Sequence, residues 1–453
     1  MTKNIIIGLL ALLSLNSCKK LISVKPSGTQ LLTSDVFTDS ATVQETLAGL
    51  YVTLSNDYGA YSYSTSTIPG FTADELSYVG NTYNQYIVNG IPITDPNVAA
   101  IWSNSYNVIY VANSIIEGVA GSSGISAAFK NQATAEAEFI RAFCYFHLVN
   151  FFGDVPLILT TNVAANSLLS RTPTAQVYSQ MVSDLKFAQS NLPADYSISS
   201  GTRTRANMWV ATALLARVYL YTSDWVDAEA QATAVIGNTA LFSLPTNLTT
   251  VFTPASTEAI WQFYNQLDGY TQYASTVLPN PVSQVPTYIL TPELVNAFEP
   301  GDARQTKWTS TLVYSGTNYT YPAKYKSLAT GANAEYYTIL RLAEQYLIRA
   351  EARAEQNNVT GAQADISAIR NRAGLAGTTA SNQTSLLAAV AQERRVELNC
   401  EWGHRWFDLK RTGTVDAVIG ALKPATWKPT AALYPIPSSE LLLDANLVQN
   451  PGY

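Results

Sequence analysis

Residues 215–230, LARVYLYTSDWVDAEA, and residues 347–364, LIRAEARAEQNNVTGAQA, share one pattern of apolar and small side chains. Each places alanines on both sides of a turn at the same spacing, Ala216 and Ala228 in the first and Ala350 and Ala362 in the second. Small residues let two helices approach closely, and one such pair cannot bury its apolar face alone. The sequence therefore predicts stacked, tetratricopeptide-like helix-turn-helix units from about residue 133 to 399, broken once.

Apolar residues at helical spacing predict the rest of a mainly α fold. The predicted helices cover residues 36–54, 101–119, 133–152, 174–191, 205–221, 225–236, 336–356, 361–372 and 385–399. Several aromatic residues lie on these helical stripes, namely Trp102, Tyr106, Tyr219 and Trp225. Aromatic stripes of this kind usually belong to a core, so we interpret them as packing residues.

Two long segments lack a helical period and are rich in aromatic and amide side chains, residues 57–96 and 240–334. We interpret both as loop excursions from the scaffold, where recognition is usually carried. Flat rings stack on the apolar faces of sugars, and amides bond to hydroxyl groups. The candidate ligand-binding residues are Tyr78, Asn81, Tyr83, Tyr273 and Trp308. Loop aromatics also pack loops, and the sequence does not separate the two roles.

The composition argues against a nucleic-acid partner. The chain has 453 residues, of which 13% are charged, with a net charge of -6, 27 Tyr and 8 Trp. Binding to phosphate backbones needs clustered Lys and Arg, and no such cluster is present. The expected surface is rich in tyrosine and amides rather than in charge.

The sequence contains few residues that could carry out catalysis or bind a metal. The two histidines, His147 and His404, lie inside apolar helical stretches, and nucleotide, zinc and redox motifs are absent, so no cofactor or metal is predicted. Scattered loop acids have no calcium-binding spacing, namely Asp57, Asp74, Asp95, Asp268 and Asp302. Three glutamates at helical spacing, Glu393, Glu397 and Glu401, could resemble a glycosidase pair. Because arginines and lysines are interleaved with them, an ion-pair network is the favoured interpretation, and the chain is predicted not to be an enzyme.

The N-terminus has the features of a bacterial lipoprotein signal. Lys3 precedes an apolar run over residues 5–15 that is too short to span a bilayer, and Ser17 and Cys18 follow. We therefore predict a signal peptide over residues 1–17, an acylated Cys18, a tether over 18–34 and one binding domain over 35–453. The pairing of the other cysteines, Cys144 and Cys400, stays open.

Several segments together resemble the SusD/RagB-like outer-membrane nutrient-binding lipoproteins. They include AEFIRAFCYFHLVNFFGDVPLI, RANMWVATALLARVYLYTSDWVDA, RLAEQYLIRAEARAEQN, ERRVELNCEWGHRWFDLKRTG and LYPIPSSELLLDANLVQNPGY. The resemblance implies a lipid-anchored protein on the exterior of the outer membrane, capture of a glycan, and a SusC-like TonB-dependent transporter as partner. Lys19 and Lys20 follow the lipidated Cys, where surface-exported members often have acidic residues. Peptide capture in the same role and a surface glycosidase are the alternatives.

Overall fold

The computed structural model describes residues 36–56, 59–264, 269–281, 284–328 and 335–453. The predicted signal peptide, Cys18 and the tether lie outside the described residues. The fold is mainly helical, as predicted. The helices are α1 (Ser40–Leu54), α2 (Ser64–Thr72), α3 (Asn84–Ile87), α4 (Pro96–Gly121), α5 (Ala127–Phe152), α6 (Val163–Asn166), α7 (Thr174–Asn191), α8 (Met208–Tyr221), α9 (Trp225–Gly237), α10 (Gln272–Val277), α11 (Pro292–Val295), α12 (Ala303–Trp308), α13 (Leu342–Glu355), α14 (Val359–Arg372), α15 (Gln383–Glu397), α16 (His404–Arg411), α17 (Val415–Leu422) and α18 (Ser438–Leu443).

The strands are short and pair two by two. They are β1 (Leu76–Tyr78), β2 (Ala259–Phe263), β3 (Tyr288–Leu290), β4 (Thr309–Tyr314), β5 (Thr317–Pro322) and β6 (Tyr337–Arg341). All three pairs are antiparallel: β1 with β3, β2 with β6, and β4 with β5. In addition, β5 packs beside β3.

The helix pairs predicted from the two quoted segments are present. Helix α8 packs on α9, and α13 packs on α14. The four alanines that flank the two turns are fully buried, as close helix contact requires. Because α9 also packs on α13, the scaffold continues across the second excursion, and residues 240–334 emerge from its middle.

The prediction of a helix over residues 336–356 is wrong for the part before Leu342. Tyr337–Arg341 is the fully buried strand β6, and the helix starts at Leu342. The β-branched and aromatic residues of this segment pair with β2. Because a short strand that is buried on both faces is mostly apolar, its sequence shows no alternation that would distinguish it from a helix.

The first excursion is more ordered than a loop. It contains helix α2, in which every residue is buried, and strand β1. A helix that is buried on all sides has no polar stripe, so the amphipathic pattern that finds surface helices is missing. The small Ser and Thr residues of α2 fit that enclosed position.

The core is centred on α5, whose residues from Phe139 to Phe152 are all buried. Aromatic rings such as Phe143 pack around His147. The same core includes Tyr434 near the C-terminus, whose ring packs on Phe151. Within the described residues, no helix combines the length and the apolar character needed to cross a membrane.

Candidate ligand-binding site

The two excursions meet in one strand pair. Strand β1 of the first excursion pairs with β3 of the second, with Tyr78 opposite Tyr288, and the backbone N–H of Val79 extends the pairing by donating to the carbonyl of Thr287 at 2.8 Å. The strand pair thus brings described residues of both excursions into direct contact.

A cluster of aromatic rings surrounds that strand pair, and we name Tyr78, Tyr83 and Tyr288, with Phe71 beneath them, the tyrosine platform. The ring of Tyr83 stacks on Phe71 with centroids 5.1 Å apart. Tyr78 stands perpendicular to both Tyr83 and Tyr288, at 4.8 and 5.3 Å. The Tyr288 hydroxyl donates to the Tyr83 hydroxyl at 2.8 Å. Tyr78 and Tyr83 are half-buried, so neither residue is sealed from solvent, while the ring contacts fix their orientation.

Ion pairs and backbone bonds fix the platform to the helical scaffold. Asp74, just before β1, binds Arg395 and Arg405 at 2.7 Å each. The next residue, Glu75, accepts the N–H of Cys400 at 2.9 Å. After β3, the Thr291 hydroxyl donates to the carbonyl of Asp74 at 2.6 Å. A site held in this way is pre-organised, which reduces the entropy lost on binding.

The rim of the platform is polar and uncharged. Asn81, Thr82 and Asn84 are exposed beside the half-buried rings. Burial raises the pKa of the Tyr83 hydroxyl, which therefore remains protonated and neutral at physiological pH. Half-exposed rings with amides beside them match the chemistry of a neutral sugar, which offers apolar ring faces and hydroxyl groups.

The sequence also nominated Tyr273 and Trp308 as exposed binding residues, and that expectation is wrong because both are core residues. Tyr273 is 2% exposed and stacks on Tyr337 at 5.5 Å. Trp308 is 1% exposed, and its indole N–H donates to the carbonyl of Leu248 at 3.0 Å. They lie on the short helices α10 and α12, whose inward faces pack on the scaffold, so neither ring reaches solvent.

Sequence reasoning missed Tyr288 and Phe71, which complete the platform. Tyr288 starts a strand of three residues, and Phe71 lies near the end of the buried helix α2. Neither segment is long enough to show a period. The nearby Tyr86 also belongs to the core, because it is fully buried and its hydroxyl donates to Asp95 at 2.6 Å.

The three glutamates on α15 and after it form a buried ion-pair cluster, as predicted. Arg304 binds both Glu393 and Glu397, at 2.9 and 3.0 Å. Arg341 binds both Glu397 and Glu401, at 2.6 and 2.8 Å. All five side chains are at most 5% exposed. Buried carboxylates that are saturated by guanidinium groups have no access to a substrate.

The remaining candidates for catalysis or metal binding are the histidines, the cysteines and the loop acids. Those that the structure describes are buried or bonded within the fold. Burial lowers the pKa of His147 to about 3, so its imidazole is neutral within the aromatic core. Cys144 and Cys400 are separate buried thiols. Asp95 caps α4, and Asp302 binds Arg304. Of the remaining acids considered for calcium, Asp57 and Asp268 lie outside the described residues.

Comparison with known proteins adds independent information. A family model described as the SusD family matches residues 260–453, and a model described as "Starch-binding associating with outer membrane" matches residues 25–220. The chain belongs to the SusD family. A SusD-like protein of Formosa agariphila is 28% identical to it over 518 aligned positions that cover 100% of both chains. A second SusD-like protein of the same bacterium is 26% identical and covers 100% of this chain and 99% of its own.

Solved structures of SusD proteins share the fold of this SusD-family chain. A SusD homolog from Bacteroides thetaiotaomicron superimposes with a TM-score of 0.80 at 20% identity and covers 93% of this chain and 98% of its own. A laminarin-binding SusD-like protein superimposes with a TM-score of 0.77 at 24% identity and covers 92% of this chain and 100% of its own. Surface glycan-binding protein A from Bacteroides fluxus gives 0.75 at 22% identity, with coverage of 91% and 99%.

Proposed function

We propose that this SusD-family protein is a non-catalytic, lipid-anchored binding protein that captures a glycan on the tyrosine platform and passes it to a TonB-dependent transporter of the outer membrane. The observation that carries the proposal is the partial exposure of Tyr78 and Tyr83 at a strand pair built from both excursions. Aromatic rings with exposed Asn81 and Asn84 beside them provide stacking and hydrogen bonding without charge.

The similar proteins support the ligand class. One solved relative is named as laminarin-binding and another as a surface glycan-binding protein. One matching family model is described by starch binding and association with the outer membrane. These names agree with the uncharged chemistry of the platform.

A binding role without catalysis fits the surroundings of the acidic residues. Burial raises the pKa of Glu397, but the charges of Arg372, Arg341 and Arg304 together hold it well below its usual value. A glycosidase needs one carboxyl group that stays protonated to act as general acid and a second at a fixed distance across the scissile bond. A permanently ionised, buried glutamate does not fill the first role.

Delivery to a transporter rests on the N-terminal sequence and the family. Acylation of Cys18 would hold the domain at the outer membrane through the tether over residues 18–34, facing the cell exterior. A captured glycan would then be held beside a partner barrel and handed over without diffusing away.

Titration calorimetry of aromatic variants tests the platform. Laminarin and soluble starch are screened first, and the better ligand is titrated against Tyr78→Ala, Tyr83→Ala and Asn81→Ala. Loss of one stacking ring costs about 1 to 3 kcal/mol by analogy with base stacking, so affinity should fall about 5- to 150-fold for each tyrosine variant. Tyr78→Phe keeps the ring and should retain most of the affinity.

Matched controls separate this effect from a general loss of tyrosine. Tyr314 and Tyr110 are 54% and 45% exposed and lie outside the platform. Tyr314→Ala and Tyr110→Ala should bind like the wild type. If folded Tyr78→Ala and Tyr83→Ala variants bind as the wild type does, the glycan site lies elsewhere and the platform proposal fails.

A further inference from the structure

A second concave surface lies next to the tyrosine platform. It is an open groove of about 560 Å³, bounded by Leu278, Lys307, Ser310, Tyr321, Lys326 and Leu328, and we name it the lysine groove. Tyr321 belongs to strand β5, which packs beside β3, and β3 carries Tyr288 of the platform. The groove and the platform are therefore carried by neighbouring strands of the same excursion.

Two exposed lysines give the groove its charge. Neither the ammonium group of Lys307 nor that of Lys326 has a hydrogen bond or ion pair within 4.0 Å with another residue that the structure describes. The acid near them is Glu335, whose carboxylate oxygens accept the backbone N–H groups of Lys326 and Ser327 at 2.8 and 3.0 Å. Burial and the neighbouring charge of Lys307 lower the pKa of Lys326, whereas Glu335 raises it. Both lysines therefore contribute positive charge to the same groove.

Many arginines of the described residues are engaged differently. Arg304 and Arg341 are buried and bound to carboxylates, and Arg203 donates to backbone carbonyl groups. Guanidinium groups that are committed in this way hold the fold together and cannot meet a ligand. The lysines of the groove remain free to bind an anion, although the whole chain is acidic.

We infer that the lysine groove binds an acidic substituent, a carboxylate or a sulfate ester, of the glycan whose sugar rings stack on the tyrosine platform. This inference rests on the proposed function. An anion in the groove is attracted by the charges of both Lys307 and Lys326, and the half-buried ring of Tyr321 with the apolar sides of Leu278 and Leu328 accommodates the sugar that carries it. An acidic glycan would therefore bind more tightly than the neutral glycan of the same backbone.

Matched polymers test this inference. Laminarin and dextran are each titrated in neutral, carboxymethylated and sulfated form, at low and at high ionic strength. We expect the charged forms to bind more tightly than their neutral parents at low salt, with an advantage that shrinks as salt is added. Comparison of the carboxymethylated with the sulfated form shows which anion the groove prefers.

Lysine variants locate the effect. Lys307→Gln and Lys326→Gln should each reduce affinity for the charged forms about two- to fivefold, the range of one exposed ion pair, and leave affinity for the neutral forms unchanged. Lys428 is an exposed lysine outside the groove, so Lys428→Gln should change neither. Tyr78→Ala should weaken both forms, because it removes stacking.

Four results would overturn the inference. Equal affinity for neutral and charged forms would show that the groove takes no anion. An equal loss in Lys428→Gln would show that the preference is a general charge effect. Tighter binding of poly-glutamate than of any charged glycan would assign the groove to acidic peptides. Binding of no polysaccharide in any form would refute the proposed function as well, whereas binding of the neutral forms with no charge preference would refute this inference alone.

Discussion

Among single residues, Glu75 makes the stability of the fold depend on pH. Its side chain is 1% exposed, and burial, reinforced by the charge of Asp74, raises its pKa to about 8. Between about pH 4.5 and 8, the folded chain therefore holds a proton that the unfolded chain has released. The free energy of unfolding should fall as pH rises through that window, by up to about 1.4 kcal/mol per pH unit from this group.

Replacement of the carboxyl group by an amide isolates that contribution. Glu75→Gln keeps an oxygen that can accept the N–H of Cys400 but cannot ionise. The stability of the variant relative to the wild type, measured by urea unfolding from pH 5 to 8, should increase steadily with pH. Glu45→Gln, which removes an exposed carboxylate, should show no such trend. Parallel stability curves for Glu75→Gln and the wild type would contradict the assignment.

The residues of the site show how far single positions can be predicted. Tyr78, Asn81 and Tyr83 were chosen because ring and amide side chains fall in one aperiodic segment; the structure places the rings of Tyr78 and Tyr83 in contact, and their role in binding stays a prediction. Trp308 and Tyr273 had the same local appearance but are core residues. Their burial depends on Leu248 and Tyr337, which are distant in sequence, so no local pattern could reveal it.

At the scale of elements, the helix pairs depend on small side chains at their contacts. Ala350 is fully buried in a small cluster with Ala362 and Leu386, where α13, α14 and α15 meet. Ala350→Leu adds three carbon atoms to a filled space and should lower the free energy of unfolding by about 1 to 3 kcal/mol. The same change at the exposed Ala388 of α15 should cost less than about 0.5 kcal/mol. Equal effects in chemical denaturation would show that the contact is not tightly packed.

Periodicity decides which elements a sequence reveals. The helix α7 has the predicted bounds because one face is buried and the other is solvated. The strand β6 and the helix α2 are buried on all sides, so they lack the alternation on which prediction depends. Phe71 of the platform lies on α2, and Tyr78 and Tyr288 lie on strands of three residues that are too short to show an alternation, which is why the scaffold was easier to predict than the site.

At the scale of the molecule, the proposed attachment to the membrane depends on Cys18, which lies outside the described residues. Cys18→Ser removes the thiol that would be acylated, so the protein should no longer incorporate labelled palmitate and should move from the membrane to the soluble fraction. Cys144→Ala, at a buried thiol, should remain in the membrane fraction. A Cys18→Ser variant that stays labelled in washed membranes would contradict lipidation at this position.

The pairing of β1 with β3 also sets when during folding the site can exist. Tyr83 and Tyr288 are 205 positions apart, and most of the helical scaffold lies between them. Three residues on each strand pair too weakly to close so long a segment alone, so their contact must wait until the intervening helices have packed. A partly folded chain therefore cannot present the platform to a ligand, and any binding there begins only when the scaffold has folded.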